Sequence, residues 1–234
     1  MNTKLVKVEK EYPDLQIMKE AGEILKNGGL VAFPTETVYG LGGDGLNARS
    51  SEKIYTAKGR PSDNPLIIHI ADMESLNKIV RQIPEKAKLL AEKFWPGPLT
   101  MIFQKSSEVP YETTGGLESV AVRMPNHPVA LALIQAGGGY IAAPSANTSG
   151  RPSPTKAEHV AEDLSGRIDM IVDGGDVGIG LESTIVDFTE NIPVILRPGY
   201  INQAMIEAVI GSVRMDKGLL ISDEKVKPKA PGMK

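Results

Sequence analysis

The chain has 234 residues, 41% of them hydrophobic, enough to bury a proper core in one large domain or two small ones. Its 26 basic and 29 acidic residues give a formal charge of −3, which argues against a strongly basic nucleic-acid binder while leaving room for local basic patches. With no cysteine and three scattered histidines, His69, His127 and His159, the sequence excludes disulfides, thiolate nucleophiles and Cys-rich metal sites, and a His-rich metal centre is not expected.

The first residues, MNTKLVKVEKEYPD, hold no apolar stretch of the kind a secretory signal needs. No apolar run approaches the length of a membrane span, so a cytoplasmic soluble protein with no membrane role is the expectation. Residues 15–26, LQIMKEAGEILK, place Leu15, Met18, Ile24 and Leu25 at helical spacing, and Gly28 ends the run. The apolar run at 30–33 predicts a short buried strand that Pro34 closes. Thr35, Glu36 and Thr37 then stand where a strand emerges into a loop, the place where open α/β sheets bind ligands. A glycine-dense loop is expected over Gly40, Gly42, Gly43 and Gly45.

That loop spells G-x-G-x-x-G, yet the dinucleotide reading is set aside. The true fingerprint joins a strand directly to a helix and carries an acid near the next strand end. Here Pro34, Thr35, Glu36 and Thr37 intervene, and the helix signal begins only near Ser50 or Ser51 as caps. Lys58 and Arg60 flank Gly59, which reads as the residue just past a helix end. Two cations on a loop point to an anionic partner. The ordinary alternative is a solvated pair that complements the helix dipole.

Further on, residues 66–70 predict a second buried strand, and Asp72 is placed to cap a helix through Val80. Pro84 opens another helix, EKAKLLAEKF, which ends before Trp95-Pro96-Gly97-Pro98. Strands are expected at 99–103 and 119–123, then a helix opened by Pro128 and stopped by Gly137. A strand at 140–143 runs into PSANTSGRPSPT, followed by a helix at 155–164. Strands at 169–172, 183–188 and 193–196 and a helix at 202–210 complete the pattern. The alternation predicts a mixed sheet with helices on its faces, one α/β domain over residues 1–217. Residues 218–234 are charged and proline-bearing, and read as the start of a linker.

Three loops at predicted strand ends carry polar groups. One holds Ser119 and Arg123, one holds Ser145, Asn147 and Ser153, and one pairs Ser183 with Arg197 of the following LRPG. Singly, each has an ordinary explanation: a surface arginine, turn chemistry at Ser145 and Asn147, a satisfied structural histidine at His69. Jointly, hydroxyl, amide and guanidinium groups at separate strand ends fit a polyanionic ligand held by charge-assisted hydrogen bonds.

Lys58-x-Arg60 with Ser145-x-Asn147 resembles the KxR…SxN signature of the YrdC/Sua5 family, the L-threonylcarbamoyladenylate synthases. PTETVYGLG, KGRPSDNPL, WPGPLT, VAVRMPNHP, APSANTSG, STIVD and RPG resemble that family's blocks, in its order. The terminal APGMK is similar to the start of the linker that leads, in longer members, to a second small domain. The expectation from the sequence is a form that differs from those members in lacking that domain and from short members in carrying the beginning of the linker.

The resemblance implies an α/β fold: a YrdC-like twisted mixed parallel/antiparallel sheet with flanking helices and a deep positively charged cleft. It implies that L-threonine, bicarbonate or CO2, and ATP with Mg2+ give threonylcarbamoyl-AMP and pyrophosphate. That product serves the N6-threonylcarbamoyl modification of adenosine 37 in tRNAs reading codons that start with A. A link to the tRNA threonylcarbamoyl-transferase machinery follows, and the family is similar to proteins described as binding double-stranded RNA. Thr37, His69, Arg123, the Ala143 backbone and Ser183 would hold L-threonine, with Arg123 on its carboxylate. Arg60, Asn64, Ser119, Ser145, Ser153 and Arg197 would hold ATP. Lys58 and Asn147 complete the catalytic signature with Arg60 and Ser145, placed beside the phosphates. The tail would cross the mouth of the cleft and help to close it. Once the threonine amine has become a carbamate the reacting groups are anionic, so cations must offset their repulsion, and no covalent enzyme nucleophile is needed.

Two other classes compete. A nucleotide- or double-stranded-RNA-binding module without catalysis would have no need to gather Thr37, His69 and Arg123. A carbamoyl-phosphate-using maturation protein, in which YrdC-like domains also occur, would be much longer.

Overall fold

The computed structural model describes residues 2–216. The linker-like stretch at 218–234 lies outside the described residues. In chain order the strands are β1 (Lys4–Lys7), β2 (Val31–Pro34), β3 (Tyr39–Asp44), β4 (Ile67–His69), β5 (Leu99–Gln104), β6 (Ser119–Arg123), β7 (Ile141–Ala142), β8 (Met170–Asp173), β9 (Thr184–Asp187), β10 (Val194–Arg197) and β11 (Arg214–Met215). They form one sheet in the order β1-β8-β2-β3-β7-β4-β6-β5-β9-β10-β11. β1 and β2 both run parallel to β8, β4 to β6, β5 to β9 and β10 to β11. The remaining neighbours pair antiparallel. The mixed sheet expected from the sequence is therefore present.

Six helices and one helical turn cover it: α1 (Leu15–Lys26), α2 (Ala48–Lys58), the turn α3 (Leu76–Ile79), α4 (Glu85–Phe94), α5 (Pro128–Ala136), α6 (Ala157–Leu164) and α7 (Gln203–Ile210). Alternation along β2 explains the two layers. Val31 and Phe33 pack with α1 and α5, while Leu30 and Ala32 pack with α2 and α6. β8 repeats this, with Met170 and Val172 on one face and Ile171 on the other. A third cluster lies under β5, β6 and α4, where Trp95, Phe103 and Phe188 are buried. No helix among the described residues is long and apolar enough to cross a membrane.

Several local expectations change. The glycine-dense stretch is no loop but β3, a buried central strand. A Cβ on Gly42 would lie 2.8 Å from Ile141 Cγ2 and 2.9 Å from Phe33 Cε1, and one on Gly43 3.1 Å from Ile54 Cδ1. These glycines admit large side chains closely on both faces. α2 starts earlier than expected, with Asn47 as cap: its side chain accepts from Arg49 N at 3.0 Å. Ser50 and Ser51 are buried inside the helix. The helix expected from Asp72 to Val80 shrinks to the α3 turn, and Asp72 instead accepts from Ser75 N at 2.7 Å. Leu15 is 80% exposed, so the buried face of α1 starts at Met18 and continues through Ala21, Gly22 and Leu25. The edge strands β1 and β11 carry little apolar signal, as short, lysine- or arginine-bearing edges do.

Candidate active site

β4 and β6 run parallel and end together, with His69 and Arg123 as register partners. Both side chains are buried. Burial first, and the Arg123 charge second, pull the His69 pKa to about 3, so the ring is neutral near pH 7. Its Nδ1 lies 3.2 Å from Ile67 O. Arg123 Nη1 donates to Thr37 Oγ1 at 2.9 Å and Nε to Gly97 O at 3.3 Å. Nη2 stands 2.6 Å from Glu36 Oε1, a close ion pair that is not aligned as a hydrogen bond. Thr37 and Glu36 belong to the β2–β3 turn, which Thr35 ties together. Thr35 Oγ1 accepts from Thr37 N and Val38 N at 3.2 and 3.3 Å and donates to Val38 O at 2.7 Å.

α2 delivers the two signature cations differently. Gly59 adopts φ +61°, the left-handed cap that turns the chain out of the helix. Lys58, just before it, is 3% exposed and is not the solvated helix-ending residue of the ordinary reading. Its Nζ donates to Ser145 O, to Asn147 O at 2.5 Å and to Asn147 Oδ1 at 3.4 Å. Its own carbonyl accepts from Ser149 N at 2.9 Å. Lys58 thus braces the loop after β7 rather than offering free protons to a phosphate. Burial first, and the Arg60 charge second, pull its pKa down to about 7, against the Glu182 and Asp163 carboxylates. Asn147 Nδ2 closes the same loop on Thr148 O and Arg151 O, at 2.9 and 2.7 Å. Arg60 makes one long contact, Nη2 to Pro65 O at 3.4 Å, and its Nε has no hydrogen-bond partner among the described residues. Asn64 Oδ1 is likewise buried without a partner there.

β9 and β10 supply the far wall. Ser183 Oγ lies 2.7 Å from Thr100 Oγ1, and Arg197 donates to it from Nη2 at 3.2 Å and to its carbonyl from Nε at 3.1 Å. Arg197 Nη1 also pairs with Glu182, whose other oxygen accepts from Ser153 Oγ at 2.9 Å. Burial lowers the pKa of Arg197 from its ordinary value, and Glu182 works against that shift.

These walls enclose a cavity of about 210 Å³. Eleven of the thirteen residues singled out above line it: Lys58, Arg60, Asn64, His69, Arg123, Ala143, Ser145, Asn147, Ser153, Ser183 and Arg197. Thr37 is not in the lining and reaches it through two lining residues: its Oγ1 accepts from Arg123 Nη1 and lies 2.9 Å from Thr35 Oγ1. Ser119 is not in the lining either; it begins β6, at the opposite end of the strand from Arg123. Five lysine and arginine side chains line the cavity beside one carboxylate, Glu182. Three of those cations are already ion-paired: Arg123 with Glu36, Arg151 with Asp163 and Arg197 with Glu182. The sequence places Thr35 at a strand end and Glu182 at the head of a polar loop but gives neither them nor Thr100 a role in the site. The signal was present, since each lies within or beside a block quoted above, but carboxyl and hydroxyl groups inside strand ends look like ordinary patterning.

A larger groove of about 1210 Å³ lies against α1 and α2, lined by mixed charges. Several of its polar groups serve the chain itself. Lys53 Nζ donates to Gly28 O at 2.6 Å, Arg167 to Ala57 O at 3.3 Å, and Asp169 accepts from Leu30 N at 2.8 Å. Nothing in it converges on a ligand.

A mixed α/β sheet with polar groups from separate strand ends gathered in one cavity defines a small-molecule-binding domain. Residues 23–199 match the Sua5/YciO/YrdC family model, described as "Telomere recombination". The chain belongs to this family. It is 58% identical over 216 residues to the threonylcarbamoyl-AMP synthase of Bacillus subtilis strain 168, a match covering 92% of this chain and 62% of that protein. It is 52% identical to the threonylcarbamoyl-AMP synthase of Pyrococcus abyssi, over 99% of this chain and 68% of that one. The crystal structure of P. abyssi Sua5 complexed with L-threonine superposes with a TM-score of 0.96 at 51% identity, covering 99% of this chain and 68% of that chain. The chain therefore spans roughly two thirds of the length of these relatives.

Proposed function

We propose that this chain synthesises L-threonylcarbamoyladenylate from L-threonine, bicarbonate or CO2, and ATP, with release of pyrophosphate. It would act as a nucleotidyltransferase in the cytoplasm. The observation that carries the reading is the gathering of eleven separately placed residues, ten of them polar, around one cavity. The naming of the relatives and the threonine complex of the P. abyssi protein support it.

In this reading the inner end, with His69, Arg123, Ala143 and Ser183, takes L-threonine, and Arg123 meets its carboxylate. Thr37 acts there by fixing Arg123 Nη1. Arg60, Asn64, Ser145, Ser153 and Arg197 take ATP, and Ser119 would be a distant contact of the same nucleotide. The cavity is smaller than the ~300–1,000 Å³ of typical small-molecule sites, so the nucleotide would extend from its mouth.

The chemistry needs positioning more than covalent help. The threonine amine becomes a carbamate, a carbamate oxygen attacks the α-phosphorus, and pyrophosphate leaves. The guanidinium groups of Arg60 and Arg197 oppose the charge that gathers at the phosphates. Lys58 contributes by holding the Ser145–Asn147 loop in place. The residues do not form a dedicated magnesium site. Glu182 is the sole carboxylate in the lining, and the described residues hold no cluster of three metal-ligating His, Asp or Glu side chains. Magnesium thus enters this reading as part of the nucleotide.

Residues 1–217 would be the catalytic unit, and 218–234 the start of a linker. The product would pass to the tRNA threonylcarbamoyl-transferase machinery. A pyrophosphate-release assay with threonine and bicarbonate omitted in turn tests the reading. Pyrophosphate is expected only when both are present, and equal release without threonine would sink the assignment.

A further inference from the structure

Glu36 is a largely buried ionisable group, with both carboxylate oxygens shielded from solvent, to which the reaction above gives no task. Its side chain is 14% exposed, and Oε1 lies 2.6 Å from Arg123 Nη2. Neither carboxylate oxygen has an aligned hydrogen bond among the described residues, and neither does that Nη2. Charge, not directed hydrogen bonding, holds the pair. Arg123 lines the cavity and Glu36 does not, so the carboxylate meets the guanidinium away from the ligand side. The turn that carries it is also anchored from outside: Glu36 O accepts from Ile179 N and Thr37 O from Gly180 N, each at 3.0 Å.

The charge count at this end is decisive. Arg123 contributes one positive charge. His69 is neutral near pH 7, and Ala143, Thr37 and Ser183 carry no charge. Arg197, which touches Ser183, is offset by Glu182. Without Glu36 the inner end would be a buried site of charge +1, suited to any small anion. ATP and pyrophosphate would bring such anions into the same cavity. With Glu36 the end sums to zero while the arginine still faces the ligand. A zwitterion matches that arrangement, because its carboxylate meets the guanidinium and its ammonium meets no net positive field.

We propose that Glu36 is a positioning residue that sets ligand specificity: by neutralising Arg123 from behind, it makes the inner end select a zwitterionic α-amino acid over a bare carboxylate or phosphate. The proposal rests on the threonine reading of this end.

The test compares the wild-type chain with Glu36→Gln and Glu36→Asp. Calorimetry measures binding of L-threonine, of 3-hydroxybutyrate (the same frame without the amine), of inorganic phosphate and of ATP, with melting temperatures alongside. Glu36→Gln is expected to weaken L-threonine roughly tenfold. 3-Hydroxybutyrate and phosphate should bind as well or better, ATP affinity should be unchanged, and Glu36→Asp should recover part of the threonine affinity. A parallel loss for every ligand would overturn the proposal and leave Glu36 a folding residue. Unchanged threonine affinity in Glu36→Gln would overturn it as well. If the wild-type chain binds no threonine, the threonine reading fails and this inference falls with it. If the wild type binds threonine and the variant equals it, this inference alone is lost.

Discussion

The two ends of the cavity are built on opposite principles. At the inner end, His69, Arg123, Thr37 and Ser183 are buried and already engaged with one another or with backbone. At the mouth, Arg60 Nε and Asn64 Oδ1 are buried without a hydrogen-bond partner among the described residues, and the Arg151 side chain is 58% exposed. An unpartnered buried polar group costs free energy that an incoming ligand recovers. The inner end is therefore a rigid mould whose specificity is set before binding. The mouth keeps unused capacity that a polyanion can satisfy. Lys58 and Arg60, two residues apart, show the difference most clearly: one is spent on holding a loop, the other is available.

Breaking the mould should have the largest effect. Arg123→Met leaves Glu36 buried without its countercharge, so the chain should lose about 3–5 kcal/mol of stability, along with threonine binding. Denaturant titration measures this. A loss below about 1 kcal/mol would mean that the ion pair does not organise the inner end.

Removing the brace between the two ends should come next. Lys58→Met deprives the Ser145 and Asn147 oxygens of their donor, at a cost of about 1–3 kcal/mol. Amide hydrogen exchange over residues 145–151 should accelerate, with nucleotide affinity falling in step. If the loop stays protected while affinity falls, Lys58 meets the phosphates directly after all.

At the mouth, Arg60→Ala should act on the ligand alone. A charge-assisted contact is worth about 1.5–3 kcal/mol, so ATP affinity should fall about tenfold to a hundredfold with little change in melting temperature. A large melting shift with intact affinity would assign Arg60 to the mould instead.

The smallest effect is the pH response of the buried histidines. His69, held near 3, and His127, held near 4, are both kept neutral chiefly by burial. The unfolded chain takes up these protons near pH 6.5 and the folded chain refuses them. The histidine contribution to stability should be level above about pH 6.5 and decline as pH falls towards 4 and then 3. His127→Phe should make that decline shallower. An unchanged slope would mean that other groups govern the acid limb.

Much of this arrangement was readable in the sequence, for reasons that can be named. α5 carries Pro128 at its first position and Gly137 beyond its last, and α4 follows Pro84. Such signals act within one turn of helix, so no tertiary context is needed to read them. β5 and β6 hold the unbroken apolar runs Met101-Ile102-Phe103 and Val120-Ala121-Val122, as strands buried on both faces do. β3 was not readable. Its glycines look like turn residues, and only the crowding by Phe33, Ile141 and Ile54 explains them. β1 and β11 were missed because a short edge strand has little apolar pattern to show.

The sequence by itself determined which polar side chains exist at which strand ends, because strand and helix limits follow from local periodicity and capping. Only the tertiary structure decided what each of them does. Register in the sheet sets His69 beside Arg123 and leaves Ser119 at the far end of the same strand. The turn between β2 and β3 places Glu36 behind the arginine, where no spacing rule would put it. Burial, which depends on every neighbouring element at once, turned Lys58 from a surface cation into a brace. Partners in a low-dielectric interior are matched by distance in space, and the distance between residues in the chain carries little of that information.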